Sequence, residues 1–180
     1  MYPYLRTAKS FLFDSFRPKI SLSDTHISYL TCWPWDIDMW GELNNGRALT
    51  LFDLGRYGLS LRAGLFSEYF KHKIYLPVAG VSIRYRHRII AFRRLEMRTR
   101  IIFHDDRFIY FEQVLLLKDG RCAVQSLVRV AAVQNAKLIS PKEAADKVLG
   151  IPLEPMICPD WVKKWIQAEA QRSWPPELSN

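Results

Sequence analysis

One change of period divides this chain and limits what it can fold into. Residues 44–64, "NNGRALTLFDLGRYGLSLRAG", place Ala48, Leu51, Phe52, Gly55 and Leu59 at three- and four-residue steps. That spacing makes one apolar face of a helix, with Asn44 or Asn45 as its N-cap. From residue 73 onward the period shortens. The runs 73–89, 94–104, 107–118 and 121–134 are rich in β-branched and aromatic residues, and they read as four strands. "DD" at 105–106 and "DG" at 119–120 are hairpin turns, so the strands run antiparallel. A further strand, "HISYLTC" (26–32), precedes the helix. A long helix too apolar to stand alone, followed by a meander, predicts an α+β domain in which a five-stranded antiparallel sheet wraps the helix.

Helical patterning returns weakly at 140–149 and more clearly at "PDWVKKWIQAEAQRSW" (159–174), where Trp161, Trp165 and Ala168 form a stripe. The expected layout is an N-terminal extension (1–23), a central domain (24–135) and a C-terminal helical extension (136–180). Gly55, Gly58 and Gly64 are costly within a helix, so they are expected either to permit close packing or to end it. With 180 residues, 49% of them hydrophobic, the chain can bury a core.

Composition narrows the chemistry less. Cys32, Cys122 and Cys158 are odd in number and lie in no CxxC or Cys/His pattern, which fits a reduced, cytoplasmic compartment. His26, His72, His87 and His104 form no metal or Ser/His/Asp constellation, so no metal and no cofactor are expected. No apolar run reaches the ~20 residues of a membrane span. "MYPYLRTAKSFLFDSF" lacks a small-residue cleavage site and reads as a packed N-terminal helix or a weak surface anchor rather than a signal peptide. The net charge of +8 calls for an anionic partner, if any: nucleic acid, anionic lipid or a phosphate-bearing small molecule. No nucleic-acid motif accompanies the charge, and no nucleic-acid partner is expected.

The segment between the first strand and the helix, "WPWDIDMWGELNN" (33–45), sets two acids among three tryptophans. "DIDMWGELNNGRALTLFDLGR" resembles the signature of hotdog-fold acyl-CoA thioesterases of the 4-hydroxybenzoyl-CoA thioesterase type. The likeness extends over about residues 24–135. The Trp-Pro before the acids, "MRTR" at 97–100, the "DDR" turn and the late Trp-Ile helix look most like the subgroup of thioesterase superfamily member six. The resemblance implies a hotdog domain acting as a homodimer or homotetramer on acyl-CoA, with sites at the subunit interface. It makes Asp38, the second acid of the Asp-x-Asp pair, the catalytic carboxylate. Two positions depart from the family pattern. Glu42 stands where the family has histidine, and Ala48 stands where an aromatic is common.

The residues permit that chemistry in their own right. A thiol of pKa about 8.5 leaves as thiolate without a strong general acid, so one carboxylate can suffice as nucleophile or general base. Spacing alone makes Asp38 a turn or capping acid; the resemblance reverses that reading. Trp33, Trp35, Met39 and Trp40 would keep the carboxylate poorly solvated. Amides at Asn45 or Gly46, at the positive end of the helix, would polarise the thioester oxygen. Asp36 reads as a structural acid of the loop. Asp53 competes for the catalytic role from inside the helix, against an ion pair with Arg56. Glu42 is a solvated loop acid or a second polar group beside the reaction, and Trp40 an apolar contact for substrate. Arg84, Arg86 and Arg88 alternate, and so would share one strand face. Arg93, Arg94, Arg98 and Arg100 follow on its neighbour, and at least two of these forks would meet the phosphates of coenzyme A. The rival reading is a non-catalytic hotdog protein that binds acyl-CoA or lipid, or scaffolds a partner. A dehydratase would need a histidine in the loop or central helix, and none stands there.

Overall fold

A computed structural model describes residues 3–150 and 153–176. The helices are α1 (Tyr4–Ser15), α2 (Asn45–Arg62), α3 (Phe66–Lys71), α4 (Pro141–Leu149) and α5 (Asp160–Ala170). The strands are β1 (His26–Thr31), β2 (Ile74–Tyr75), β3 (Val78–Tyr85), β4 (Arg94–His104), β5 (Phe108–Leu116), β6 (Cys122–Gln134) and β7 (Lys137–Ile139). All pairings are antiparallel: β1 with β4, β4 with β5, β5 with β6, and β3 on the far edge of β6. These five strands form the sheet that encloses α2, the hotdog arrangement the resemblance implied. Short β2 and β7 extend it by pairing with the last residues of β6.

The expected run 73–89 is interrupted, and proline is the cause. Pro77 has no N–H for a ladder and separates β2 from β3; its carbonyl instead accepts from Ala131 N at 2.9 Å. Beyond Tyr85 the chain leaves the sheet, with the amides of Arg86 and His87 converging on the Ala123 carbonyl. Arg84, Arg86 and Arg88 therefore do not share one strand face; only Arg84 belongs to β3. The two hairpins form as their turn residues require. Asp105 Oδ1 accepts from the amides of Arg107 (2.8 Å) and Phe108 (2.7 Å), and Gly120 takes φ +84°.

The core is the strip of α2 that the periodicity marked. Ala48, Leu51, Phe52 and Leu54 pack against Leu95, Met97, Leu115 and Val124 of the sheet, all buried. A side chain of this kind stabilises by about 1.5–3 kcal/mol on full burial. Helix and sheet approach most closely at two glycines. A Cβ on Gly55 would lie 2.2 Å from Thr99 Oγ1, and one on Gly58 would lie 2.4 Å from His26 Nε2. The outer face of the sheet is covered by α5, whose Val162 is fully buried against Ile102, Tyr110 and Leu127. Of the two extensions, α5 packs on the sheet and α1 packs on α2.

His26 explains how α1 is held. The imidazole is fully buried beneath Asp14 of α1, with Arg62 of α2 beside it and Arg17 bonded to Asp14 at 3.0 Å. A guanidinium only donates, so Nδ1 accepts from Arg62 Nη1 at 3.3 Å. The ring proton then sits on Nε2, 3.8 Å from Asp14 Oδ2. Burial pushes the His26 pKa down to about 4, with Asp14 opposing the shift and Arg17 and Arg62 adding to it. In the unfolded chain the imidazole protonates near pH 6.5, whereas in the folded chain it stays neutral to about 4. Between these values the unfolded state binds the extra proton, so stability falls as pH drops through that window and levels off below it. The total is about 3 kcal/mol. Melting temperatures from pH 7.5 to 4.5 should decline in the wild type and flatten in His26→Gln; parallel curves for the two would refute this.

Candidate functional site

The loop from Cys32 to Asn44 is built around a buried acid. Pro34 opens a single 3-10 turn, Pro34–Asp36, which turns Asp36 inward until it is 1% exposed. Its Oδ2 accepts from Trp33 N at 2.8 Å and from Arg6 of α1 at 2.5 Å. Its Oδ1 lies 3.2 Å from Arg47 Nε, on the first turn of α2. The Asp36 carbonyl accepts from Asn44 N at 2.9 Å. One residue therefore ties α1, the loop and the start of α2 together, the structural role the sequence assigned to it. Arg6 and Arg47 are partners the sequence did not disclose, because they lie on helices whose docking is set by distant contacts.

Asp38 stands at the head of the tight turn that follows. Ile37 pairs with Leu43, Asp38 N donates to the Glu42 carbonyl at 2.8 Å, and Gly41 N donates back to Asp38 at 3.1 Å. Gly41 closes the turn at φ +73°, a conformation suited to glycine. The Asp38 carboxylate is half-buried, and its Oδ1 accepts from Trp40 N at 2.8 Å. Leu43 N donates to the Ile89 carbonyl at 2.8 Å, which fixes the turn to the segment between β3 and β4.

At the helix start, Asn44 is the N-cap and its Oδ1 accepts from Arg47 N at 3.0 Å. The amides of Asn45 and Gly46 are first-turn donors without an intrahelical acceptor, and both residues are exposed. Tyr85, at the end of β3, donates its hydroxyl to the Asn45 carbonyl at 3.2 Å. Burial raises the Tyr85 pKa, so the phenol remains a donor. No local pattern signals this contact, which joins residues forty apart.

Glu42 and Arg88 meet each other. Arg88 Nε donates to the Glu42 carboxylate at 3.1 Å and Nη2 to the Trp40 carbonyl at 2.9 Å, so Arg88 clasps the turn. Arg98 is paired with Glu96 and Arg100 with Glu112, each at 2.6 Å, while the Arg94 guanidinium lies 5.2 Å above the Tyr29 ring. Arg84 and Arg86 are exposed and have no side-chain partner among the described residues. The tryptophans do not enclose Asp38 as expected. Trp35 stacks on Trp33 at 5.5 Å and Trp33 meets Phe92 edge-on at 6.0 Å. Trp35, Met39 and Trp40 are 67%, 88% and 71% exposed. All three face outward, and only Trp33 is turned toward the segment before β4, through Phe92.

Asp53 is held differently. Its carboxylate pairs with Arg56, whose Nη1 donates to Gln113 Oε1 at 2.5 Å. Gln113 Nε2 donates in turn to the Phe52 carbonyl and to Thr99 Oγ1. Burial raises the Asp53 pKa and Arg56 opposes the rise. The ion pair expected at this spacing is present and is part of a polar chain running from helix to sheet.

Comparisons with known proteins agree with this architecture. The family model of the thioesterase-like superfamily matches residues 32–166. Protein THEM6 of Xenopus laevis is 30% identical over 135 residues, 74% of this chain and 63% of that protein; the chain thus spans less than two thirds of that relative's length. The crystal structure of a DHNA-CoA thioesterase from Staphylococcus aureus superposes with a TM-score of 0.62 at 15% identity, covering 81% of this chain and 91% of that one. A second Staphylococcus aureus protein, solved in complex with CoA, gives 0.62 at 12% identity over 79% and 94%. These two likenesses speak to the fold. The family match, covering the acid loop, the central helix and every strand of the sheet after β1, carries the assignment: this chain is a hotdog-fold member of the thioesterase-like superfamily.

Proposed function

We propose that this protein hydrolyses an acyl-CoA thioester to the free acid and CoA, with Asp38 as the working carboxylate. One observation carries the reading. Asp38 is held in a bonded turn with one carboxylate oxygen anchored to Trp40 N, and Asp36 and Leu43 lock that turn to the start of α2 and to Ile89. Oδ1 is therefore fixed, and Oδ2 is left either to attack the thioester carbonyl, giving an anhydride that water then opens to the free acid, or to take a proton from the attacking water. Departure of CoA as thiolate needs no further acid. The Asn45 and Gly46 amides supply donors for the carbonyl oxygen at the positive end of α2. Arg84 and Arg86 are the basic groups we assign to the phosphates of CoA. Arg88 acts on the turn, through Glu42 and the Trp40 carbonyl, and Trp40 offers an apolar surface to substrate. The exposed Trp35–Met39–Trp40 patch and the open edge of β3 favour a homodimer or homotetramer in which a second copy covers the acid and excludes water.

The non-catalytic alternative rests on Glu42, which pairs with Arg88 where the family signature has histidine. Release of free thiol from a panel of acyl-CoAs of increasing chain length decides between them. Saturable turnover with at least one chain length supports hydrolysis; binding of the panel without thiol release overturns it.

A further inference from the structure

One cavity of the described residues lies away from the acid loop. It encloses about 470 Å³ between α1, the fourth and fifth turns of α2, α3 and β2. From Asn45 to Tyr57 the helix rises about 18 Å, and no residue of the 33–46 loop lines the cavity. Its walls are aromatic and aliphatic, with Tyr57, Phe66 and Tyr69 on the helices and Phe111 and Val130 on the sheet. Two cations and no acid contribute to the lining. Arg56 is engaged by Asp53 and Gln113. The Lys73 ammonium is exposed and has no hydrogen bond or ion pair among the described residues. Its backbone is pinned at φ +53°, in the corner between α3 and β2. Gln134 Nε2 donates to the neighbouring His72 carbonyl at 2.7 Å, and Ile74 pairs with Gln134.

We infer that this cavity is a second ligand site, for a carboxylate amphiphile such as a free medium- to long-chain fatty acid, with its chain in the aromatic pocket and its carboxylate on Lys73. At about 470 Å³ the cavity falls in the range of small-molecule sites, and dodecanoate serves as the probe. An apolar body calls for apolar walls. The uncompensated cation at the mouth selects the sign of the head group. The inference goes beyond the proposed hydrolysis and does not depend on it, since binding is measured without turnover.

The test is calorimetric titration of the whole protein with dodecanoate below its micellar concentration, and with dodecanol as the neutral twin. The expected result is one saturable site for dodecanoate and binding about tenfold weaker for dodecanol, the loss of one charge-assisted contact. Lys73→Asn, which suits the left-handed backbone, should weaken dodecanoate about tenfold and leave dodecanol unchanged. Ser60→Leu, which fills the cavity from α2, should abolish binding of both while thiol release from acyl-CoA is unaltered. Absence of saturable binding, or wild-type binding by both variants, overturns the site. So does binding that weakens as protein concentration rises, because a second copy would then be the occupant. A protein that binds dodecanoate in this way but releases no thiol would sink the hydrolase reading and leave this one standing.

Discussion

Replacing Asp38 by Asn is expected to lower thioester hydrolysis by about 10²–10⁴-fold while leaving the melting temperature within error of wild type. The substitution separates two roles that the same side chain plays. An asparagine oxygen can still accept from Trp40 N, the 2.8 Å bond that shapes the turn, so the loop should keep its course. What is lost is the negative charge at the second oxygen, and with it the capacity to attack a carbonyl or to take a proton from water. Glu42→Gln is the matched control. It removes a charge two residues beyond the turn centre and weakens an exposed pair with Arg88, a change of the kind worth at most about 1 kcal/mol. Full activity in Asp38→Asn would remove the carboxylate from the mechanism and direct attention to Asp53, whose raised pKa and contact with Arg56 make it the other acid to examine.

What could be read before the fold was seen follows from the range of each interaction. The helix 44–64 and the hairpin turns rest on local rules, periodicity and turn chemistry, and they appear as α2 (Asn45–Arg62) and at Asp105 and Gly120. Gly55 and Gly58 announced close packing, and Thr99 and His26 supply the contacts. Of the Trp161, Trp165 and Ala168 stripe only Trp165 packs on the sheet, beside Val162 and Ile166; Trp161 and Ala168 face outward. The errors have a common source. Arg84, Arg86 and Arg88 alternate in sequence, but alternation places side chains on one face only while the strand continues, and β3 stops at Tyr85. The tryptophans near Asp38 were read as its cover because they are neighbours in sequence. Trp33 is instead turned to Phe92, fifty-nine residues further on, and no local pattern reports such a contact. The Arg6–Asp36 pair and the Lys73 cavity were invisible for the same reason, since each needs the docked positions of α1 and α3.

Asp36→Ala is expected to cost the fold about 3–5 kcal/mol, the range for breaking a buried ion pair from one side. The carboxylate is 1% exposed and lies against two guanidiniums that are themselves only 17% and 18% exposed. Arg6 Nη1 is already buried without an acceptor, so loss of the 2.5 Å bond from Nη2 to Asp36 strips that guanidinium of its anionic partner. Trp33 N loses its acceptor as well. At about 2–4 °C per kcal/mol for a domain of this size, melting should fall by roughly 10 °C. Removing the stranded cation should return part of the loss: Arg6→Met added to Asp36→Ala should melt above Asp36→Ala alone, although Arg6→Met by itself is destabilising. The loss should also reach the chemistry. With Asp36 gone, the loop keeps the Asn44 N bond to the backbone carbonyl of residue 36 but loses its side-chain hold on α1 and on the first turn of α2, so thiol release measured well below the melting point should drop along with stability. Asp38→Asn is expected to lose activity without melting earlier; Asp36→Ala should lose both. An Asp36→Ala protein that melts within 2 °C of wild type, in a domain where 1 kcal/mol moves melting by about 2–4 °C, would mean the buried acid does not hold the loop to its helices.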